Sequence, residues 1–116
     1  MSAHADPLSQ PAPPFRVDVH PERDAVRVAP VGELDLATAS LLEEQLHELR
    51  SAGFRHVVLD LRELTFIDSS GIRVIVAEHR WAESTGHEFS LVSGPPAVQR
   101  ALEVCGLLGL LHVDAT

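Results

Sequence analysis

The sequence predicts an α/β domain, a mixed and mostly parallel sheet of four to five strands with helices packed against it. Three observations predict it. Apolar residues recur with period two in some segments and with helical spacing in others. A short run rich in β-branched residues, His56-Val57-Val58-Leu59-Asp60-Leu61, lies between two helical segments and reads as a central strand buried on both faces. Glycine or proline punctuates the changes of period, at Gly53, Gly86, Pro95-Pro96 and Gly106. A chain of 116 residues, 45% hydrophobic and 22% charged, suits one soluble globular domain.

In order along the chain, residues 1–14 are expected to be a flexible tail, because four prolines sit among small polar residues with only Leu8 to bury. The folded domain is expected over residues 15–116. Phe15, Val17 and Val19 alternate with Arg16, Asp18 and His20, which predicts a strand. Pro21-Glu22-Arg23-Asp24 is a turn, and Val26-Arg27-Val28 resumes the alternation, so an antiparallel hairpin is expected. Pro30 offers no N–H, which places this strand near an edge or makes its end irregular. Gly32-Glu33-Leu34-Asp35 breaks the pattern. From Ala37 to Ala52 the period becomes helical, with Leu42, Leu46 and Leu49 on one face and Leu41 beside them, and with Glu43, Glu44, His47 and Glu48 on the other. Gly53 stops this helix, and the crossover to the buried strand is expected to be right-handed.

After Leu64–Ile67 and Asp68-Ser69-Ser70-Gly71, a second helix runs to Ser84, with Ile72, Ile75, Val76 and His79 as its apolar face. Phe89–Val92 is the next strand. Ser93-Gly94-Pro95-Pro96 opens a third helix, with Val98, Ala101, Leu102 and Cys105 turned inward and Gly106 as its stop. Leu110–Val113 is expected to be the last strand.

Absent residue types exclude whole classes of chemistry. All nine basic residues are arginines, so there is no P-loop lysine and no Schiff-base lysine. There is no tyrosine. Cys105 stands alone, which excludes an internal disulfide and a Cys-Cys metal pair. The seven histidines are scattered, and none forms a helical i, i+4 metal pair, so no metal or other cofactor is expected. A net charge of −8 disfavours nucleic acid, whose affinity comes largely from neutralised phosphates. No apolar run approaches the roughly 20 residues of a membrane helix. The N-terminus lacks the pattern of a secretory signal. A cytoplasmic protein, monomeric and without a membrane partner, is therefore expected.

The segment with most chemical content is Thr65-Phe66-Ile67-Asp68-Ser69-Ser70-Gly71, where two hydroxyls sit at a predicted helix start. Serine is a good N-cap, and the same N–H groups and helix dipole favour an anion. A phosphate on a hydroxyl here would be received by the helix end and would still add about −1.5 to −2 of charge beside Asp68. The blander account is loop-and-cap composition. Hydrolysis is disfavoured: the nucleophile elbow needs an earlier glycine that is missing. In a parallel sheet Gly32-Glu33-Leu34-Asp35 and Asp68-Ser69 leave their strands at one edge. Asp35 then either caps the first helix or contributes to an acidic docking surface, and the two readings are compatible.

Gly32-Glu33-Leu34-Asp35, His56–Leu61 and Phe66-Ile67-Asp68-Ser69-Ser70-Gly71, with the later Pro95–Leu102 and Cys105-Gly106-Leu107, resemble the anti-sigma factor antagonists, whose domain is called STAS. The resemblance runs from Phe15 to Val113. It implies a bacterial cytoplasmic regulator of transcription that catalyses nothing. Unmodified, it binds an anti-sigma factor that is also a serine kinase and so frees a sigma factor. Phosphorylation of the first serine after the aspartate, here Ser69, ends the complex, and a serine phosphatase resets it. The residues this implies for partner binding are Glu33, Asp35, Asp68, Ser69, Ser70, Gly71, Ile72 and Arg73. Arg73 stands where the family often has glycine, and could alter partner choice or pair with a phosphate on Ser69. Pro30 replaces a usual strand aliphatic. The alternative is a STAS module used as a scaffold or transporter accessory without a working phosphoswitch.

Overall fold

The computed structural model describes residues 14–106 and the backbone of residues 112–114. Six strands and three helices follow the order β1 (Arg16–Pro21), β2 (Val26–Leu34), α1 (Ala39–Ser51), β3 (His56–Asp60), β4 (Leu64–Ile67), α2 (Ser69–Thr85), β5 (Glu88–Val92), α3 (Pro96–Val104) and β6 (His112–Asp114). The main path of the sheet is β1-β2-β3-β5-β6, and β4 pairs with β2 off that path. Among the described residues only β1–β2 is antiparallel; the other pairs are parallel. This is the expected mixed sheet. The expected tail, apart from Pro14, lies outside the described residues, as do Leu110 and Leu111 of the expected last strand.

Strand β2 changes partner partway along, and this positions the site. Val26–Val28 pairs with β3. Gly32–Leu34 pairs with β4, with a register irregularity between Gly32 and Glu33. Pro30 falls between the two ladders, where a missing N–H leaves no parallel rung empty. The strand therefore continues through Gly32-Glu33-Leu34 instead of ending there. Leu64–Ile67 is the strand that Asp68-Ser69 was expected to leave, although the strand count omitted it, and it pairs because β2 outruns β3.

The core is one cluster. Leu42, Leu46 and Leu49 of α1, spaced by four and three, are buried together with Val26, Val28, Leu34, Leu59, Leu61, Leu64, Ile75 and Leu91. Burying each such side chain contributes about 1.5–3 kcal/mol. Helix α2 presents a face slightly rotated from the expected one. Gly71, Val74, Ile75, Glu78 and Ala82 are buried, while Ile72 and Val76 are half-buried. The sequence reading put His79 on that face; it is partly exposed, and its neighbour Glu78 is the one buried, at 2% exposure. Arg50 of α1 reaches Glu78 as an ion pair and lies 4.3 Å above the Trp81 ring. Cys105, expected inward, is exposed, because α3 ends at Val104 and the chain turns at Cys105-Gly106.

Asp60, at the end of β3, is 3% exposed. It accepts from Arg62 Nη2 at 2.7 Å, from the Arg62 backbone N–H at 3.0 Å and from Arg27 Nη1 at 3.2 Å. Burial alone pushes its carboxyl up, but the Arg62 hydrogen bonds and charge, with the Arg27 bond, outweigh burial and hold its pKa below the usual carboxylate value. Because the folded value is depressed, the stability this contributes is complete above the unfolded pKa of about 3.9 and is lost as pH falls through the lower folded value. Asp60→Asn is expected to weaken the fold at neutral pH and to flatten the acid limb. Urea midpoints between pH 6 and pH 2 check this; a variant curve parallel to the wild type would count against it.

Candidate functional site

The site forms where β2 and β4 end side by side. Glu33 stands opposite Phe66 and Leu34 opposite Ile67. The Asp68 N–H donates to the Leu34 carbonyl at 3.2 Å, extending the pairing by one rung. The two acidic loops, one leading to α1 and the other to α2, therefore leave the same edge from adjacent strands, as the parallel arrangement predicts.

Local chemistry fixes each loop. Asp68 adopts an extended backbone (φ −118°, ψ −171°), and its carboxylate Oδ1 accepts from Ser70 N–H at 2.8 Å and Gly71 N–H at 3.4 Å. Asp68 is thus the N-cap. The serines, read from sequence as capping candidates, are the first two residues of the helix. Ser69 is exposed and Ser70 half-buried, and among the described residues neither side chain makes a hydrogen bond. Gly71 is buried against Leu34 and Ile67. A Cβ built there would lie 2.7–2.9 Å from their side-chain carbons, so the helix start can press onto the sheet only with glycine.

In the other loop Asp35 Oδ1 accepts from the N–H groups of Ala37 (3.0 Å) and Thr38 (3.1 Å), and the Thr38 hydroxyl donates to the Glu33 carbonyl at 2.7 Å. This turn delays α1 to Ala39 instead of Ala37. Asp35 and Asp68 each commit a carboxylate oxygen to backbone N–H groups, while Glu33 is exposed. Two apolar side chains near these loops lie in solvent: Leu36, 80% exposed, in the loop after β2, and Phe66, 47% exposed, in β4. Sequence reasoning passed over both. The signal for Leu36 is an apolar residue outside the period of α1.

A groove of about 340 Å³ runs between α1 and α2, with Leu36, Ala39, Ser40 and Glu43 on one wall and Ser70, Arg73, Val74 and Ala77 on the other. Arg73 is the one basic residue among these lining groups. Glu33 does not line it; it borders a separate, mostly apolar hollow of about 240 Å³ with Phe15, Val31 and Thr65. Of the site residues, Ser70 and Arg73 line the groove and Glu33 the hollow, while Asp35, Asp68, Ser69, Gly71 and Ile72 line neither. Among the described residues there is no group of three or more His, Cys, Asp or Glu able to hold a metal ion, and no helix is long and apolar enough to cross a membrane.

The arrangement presents an exposed hydroxyl at a helix start, on the edge of the domain where Leu36, Phe66 and Glu33 are also exposed. The chain matches the STAS domain model over residues 16–116. It is 29% identical over 100 residues to an anti-sigma F factor antagonist of Paenibacillus polymyxa, covering 85% of this chain and 86% of that protein. It is 30% identical over 83 residues to an anti-sigma-B factor antagonist of Staphylococcus aureus, covering 72% and 77%. The crystal structure of an anti-sigma factor antagonist from Mycobacterium paratuberculosis superposes with a TM-score of 0.78 at 23% identity, over 89% of this chain and 87% of that one, and so shares the fold.

Proposed function

The chain belongs to the STAS domain family, among the anti-sigma factor antagonists, and from that premise we propose that it binds an anti-sigma factor with serine kinase activity, frees the sigma factor held by that partner, and is switched off by phosphorylation of Ser69. STAS antagonists are regulatory binding proteins, not enzymes, and the chemistry in this account belongs to the partner. The observation that carries the reading is the division of labour at the start of α2: Asp68 caps the helix, and the Ser69 hydroxyl is left exposed with no structural duty among the described residues.

Unmodified, the edge offers Leu36, Phe66 and the half-buried Ile72 for apolar contact and Glu33 for a basic group on the partner. In phosphorylation a bond forms between Ser69 Oγ and the γ-phosphorus of ATP, the bond from that phosphorus to the ADP oxygen breaks, and the hydroxyl proton leaves to a base on the kinase. A charge of about −1.5 to −2 then sits in a docking surface that was neutral at that point. Burying it against a partner surface that offers no counter-charge of its own is costly, so the complex separates. A serine phosphatase restores the hydroxyl. We place this cycle in the bacterial cytoplasm, with the antagonist as a monomer and without nucleic acid.

Calorimetric titration of a kinase-type anti-sigma factor with three forms tests this. Ser69→Ala is expected to bind within about twofold of wild type, since it removes no hydrogen bond. Ser69→Asp is expected to bind at least about tenfold more weakly, or about 1.4 kcal/mol, with the circular dichroism unchanged. Equal affinities for wild type and Ser69→Asp would sink the charge-based switch.

A further inference from the structure

We infer that Arg73 is an internal counter-charge for a phosphate on Ser69: once modified, the residue 69 phosphate pairs with the Arg73 guanidinium across one turn of α2. The inference rests on the reading of Ser69 as the modified residue and adds the group that receives the phosphate.

Four observations lead to it. First, a phosphate at a helix start is ordinarily held by free backbone N–H groups. Here the Ser70 and Gly71 N–H groups already donate to Asp68. The helix end is therefore less available than the sequence suggested, and its cap carries negative charge. Second, Ser69 and Arg73 are four apart on the helix, which puts them on one face with Cβ atoms about 5–6 Å apart. A guanidinium reaches a phosphate oxygen over that separation, and its planar fork suits two such oxygens at once. Third, both residues are exposed, so pairing displaces no packing. Fourth, Arg73 enters none of the ion pairs among the described residues, whereas Arg16, Arg27, Arg50 and Arg62 each hold a carboxylate. Glu43, on the opposite wall of the groove, is the carboxylate nearest in the lining and is not within ion-pair distance.

The anionic neighbours are Asp68 beside the phosphate and Glu43 across from Arg73. Asp68 opposes the dianion and Arg73 favours it. Pairing makes the charge felt by a docked protein smaller than that of an unaccompanied dianion, and it ties the modified side chain to the helix. In this chain, then, the strength of the switch is set by residue 73 as well as by residue 69.

The test needs no kinase. The full chain is made with phosphoserine inserted at position 69 during translation, and the phosphate is titrated by phosphorus NMR between pH 4 and pH 8. An unpaired phosphoserine has its second pKa near 6. Arg73→Ala and Arg73→Gln are each expected to raise the phosphate pKa by about 0.15–0.4 unit relative to the arginine form. Arg73→Lys is expected to retain most of the arginine effect. The difference should shrink toward zero near 1 M salt, where the Debye length is about 3 Å. Arg80→Ala removes the same charge at a point about 16 Å from residue 69 along α2 and is expected to leave the titration in place. Identical pKa values for the arginine, alanine and glutamine forms at low salt would overturn the pairing. That result would leave the switch itself untouched, because the switch is read by partner affinity and not by this titration.

Discussion

Arg50→Met is expected to destabilise the domain by about 3 kcal/mol, because it leaves the Glu78 carboxylate buried without its partner. Glu78 is 2% exposed and lies in the middle of α2; Arg50 sits in the last turn of α1 with 17% of its side chain in solvent. Methionine keeps the aliphatic stem and removes the guanidinium, so the loss reports charge and hydrogen bonding more than packing. The change also removes the cation–π contact with Trp81, worth about 0.5–1 kcal/mol. Replacing both partners removes the stranded charge: Arg50→Met with Glu78→Leu is expected to recover most of the loss, as apolar replacements of buried pairs commonly do. Urea unfolding of the two single variants and the double variant measures this. A loss below about 1 kcal/mol in Arg50→Met would show that Glu78 finds water or another donor. The pair joins the two helices that wall the groove, so it also bears on how steadily the start of α2 is held.

Gly71→Val is the second large effect, with an expected loss of about 3 kcal/mol, at the upper end for overpacking. The first added carbon already falls 2.7 Å from Leu34 Cγ and 2.9 Å from Ile67 Cγ1. Leu34 is fully buried and Ile67 nearly so, and neither is a mobile surface tip. Gly71→Ala meets the same contacts with fewer atoms and gains up to about 1 kcal/mol of helix propensity, so its net loss is expected to be about 1 kcal/mol. Urea midpoints that fall in the order glycine, alanine, valine confirm the close approach. A stabilised Gly71→Ala would contradict it. Because Gly71 presses the helix start against β2 and β4, the valine variant is also expected to weaken binding to the anti-sigma partner more than its circular dichroism changes.

What could be read from sequence and what could not divide along physical lines. The hairpin, α1, β3 and the shared edge of the two acidic loops were legible, because each follows from a period or from the parallel crossover rule. Helix α1 shows this best: Leu42, Leu46 and Leu49, with Ala39 at its start, make its buried face. The exit of strand β4 at Asp68 was legible, but its extent and its pairing with the end of β2 were not. Its four residues run buried, exposed, exposed, buried, so no alternation marks them, and their pairing depends on a strand some thirty residues earlier. Glu78 was missed for a similar reason: a carboxylate on an apolar stripe makes sense only with Arg50, which is 28 residues away. At the candidate site the motif pointed to the start of α2, but spacing could not distinguish Asp68 from the serines as the cap. That distinction lies in one backbone conformation and two hydrogen bonds. The exposed Leu36, in a loop, and Phe66, in a strand without alternation, were hidden because neither position carries a period that tells which side it faces.

The central claim is tested most directly by locating the modification itself. The protein is incubated with a kinase-type anti-sigma factor and Mg-ATP, the complex is followed by size-exclusion chromatography, and added phosphate is mapped by tandem mass spectrometry. The account predicts one phosphate, on Ser69, appearing as the antagonist leaves the complex, and neither event in Ser69→Ala, which stays bound. A complex that persists with Ser69 unmodified, or that separates equally well in Ser69→Ala, would contradict it.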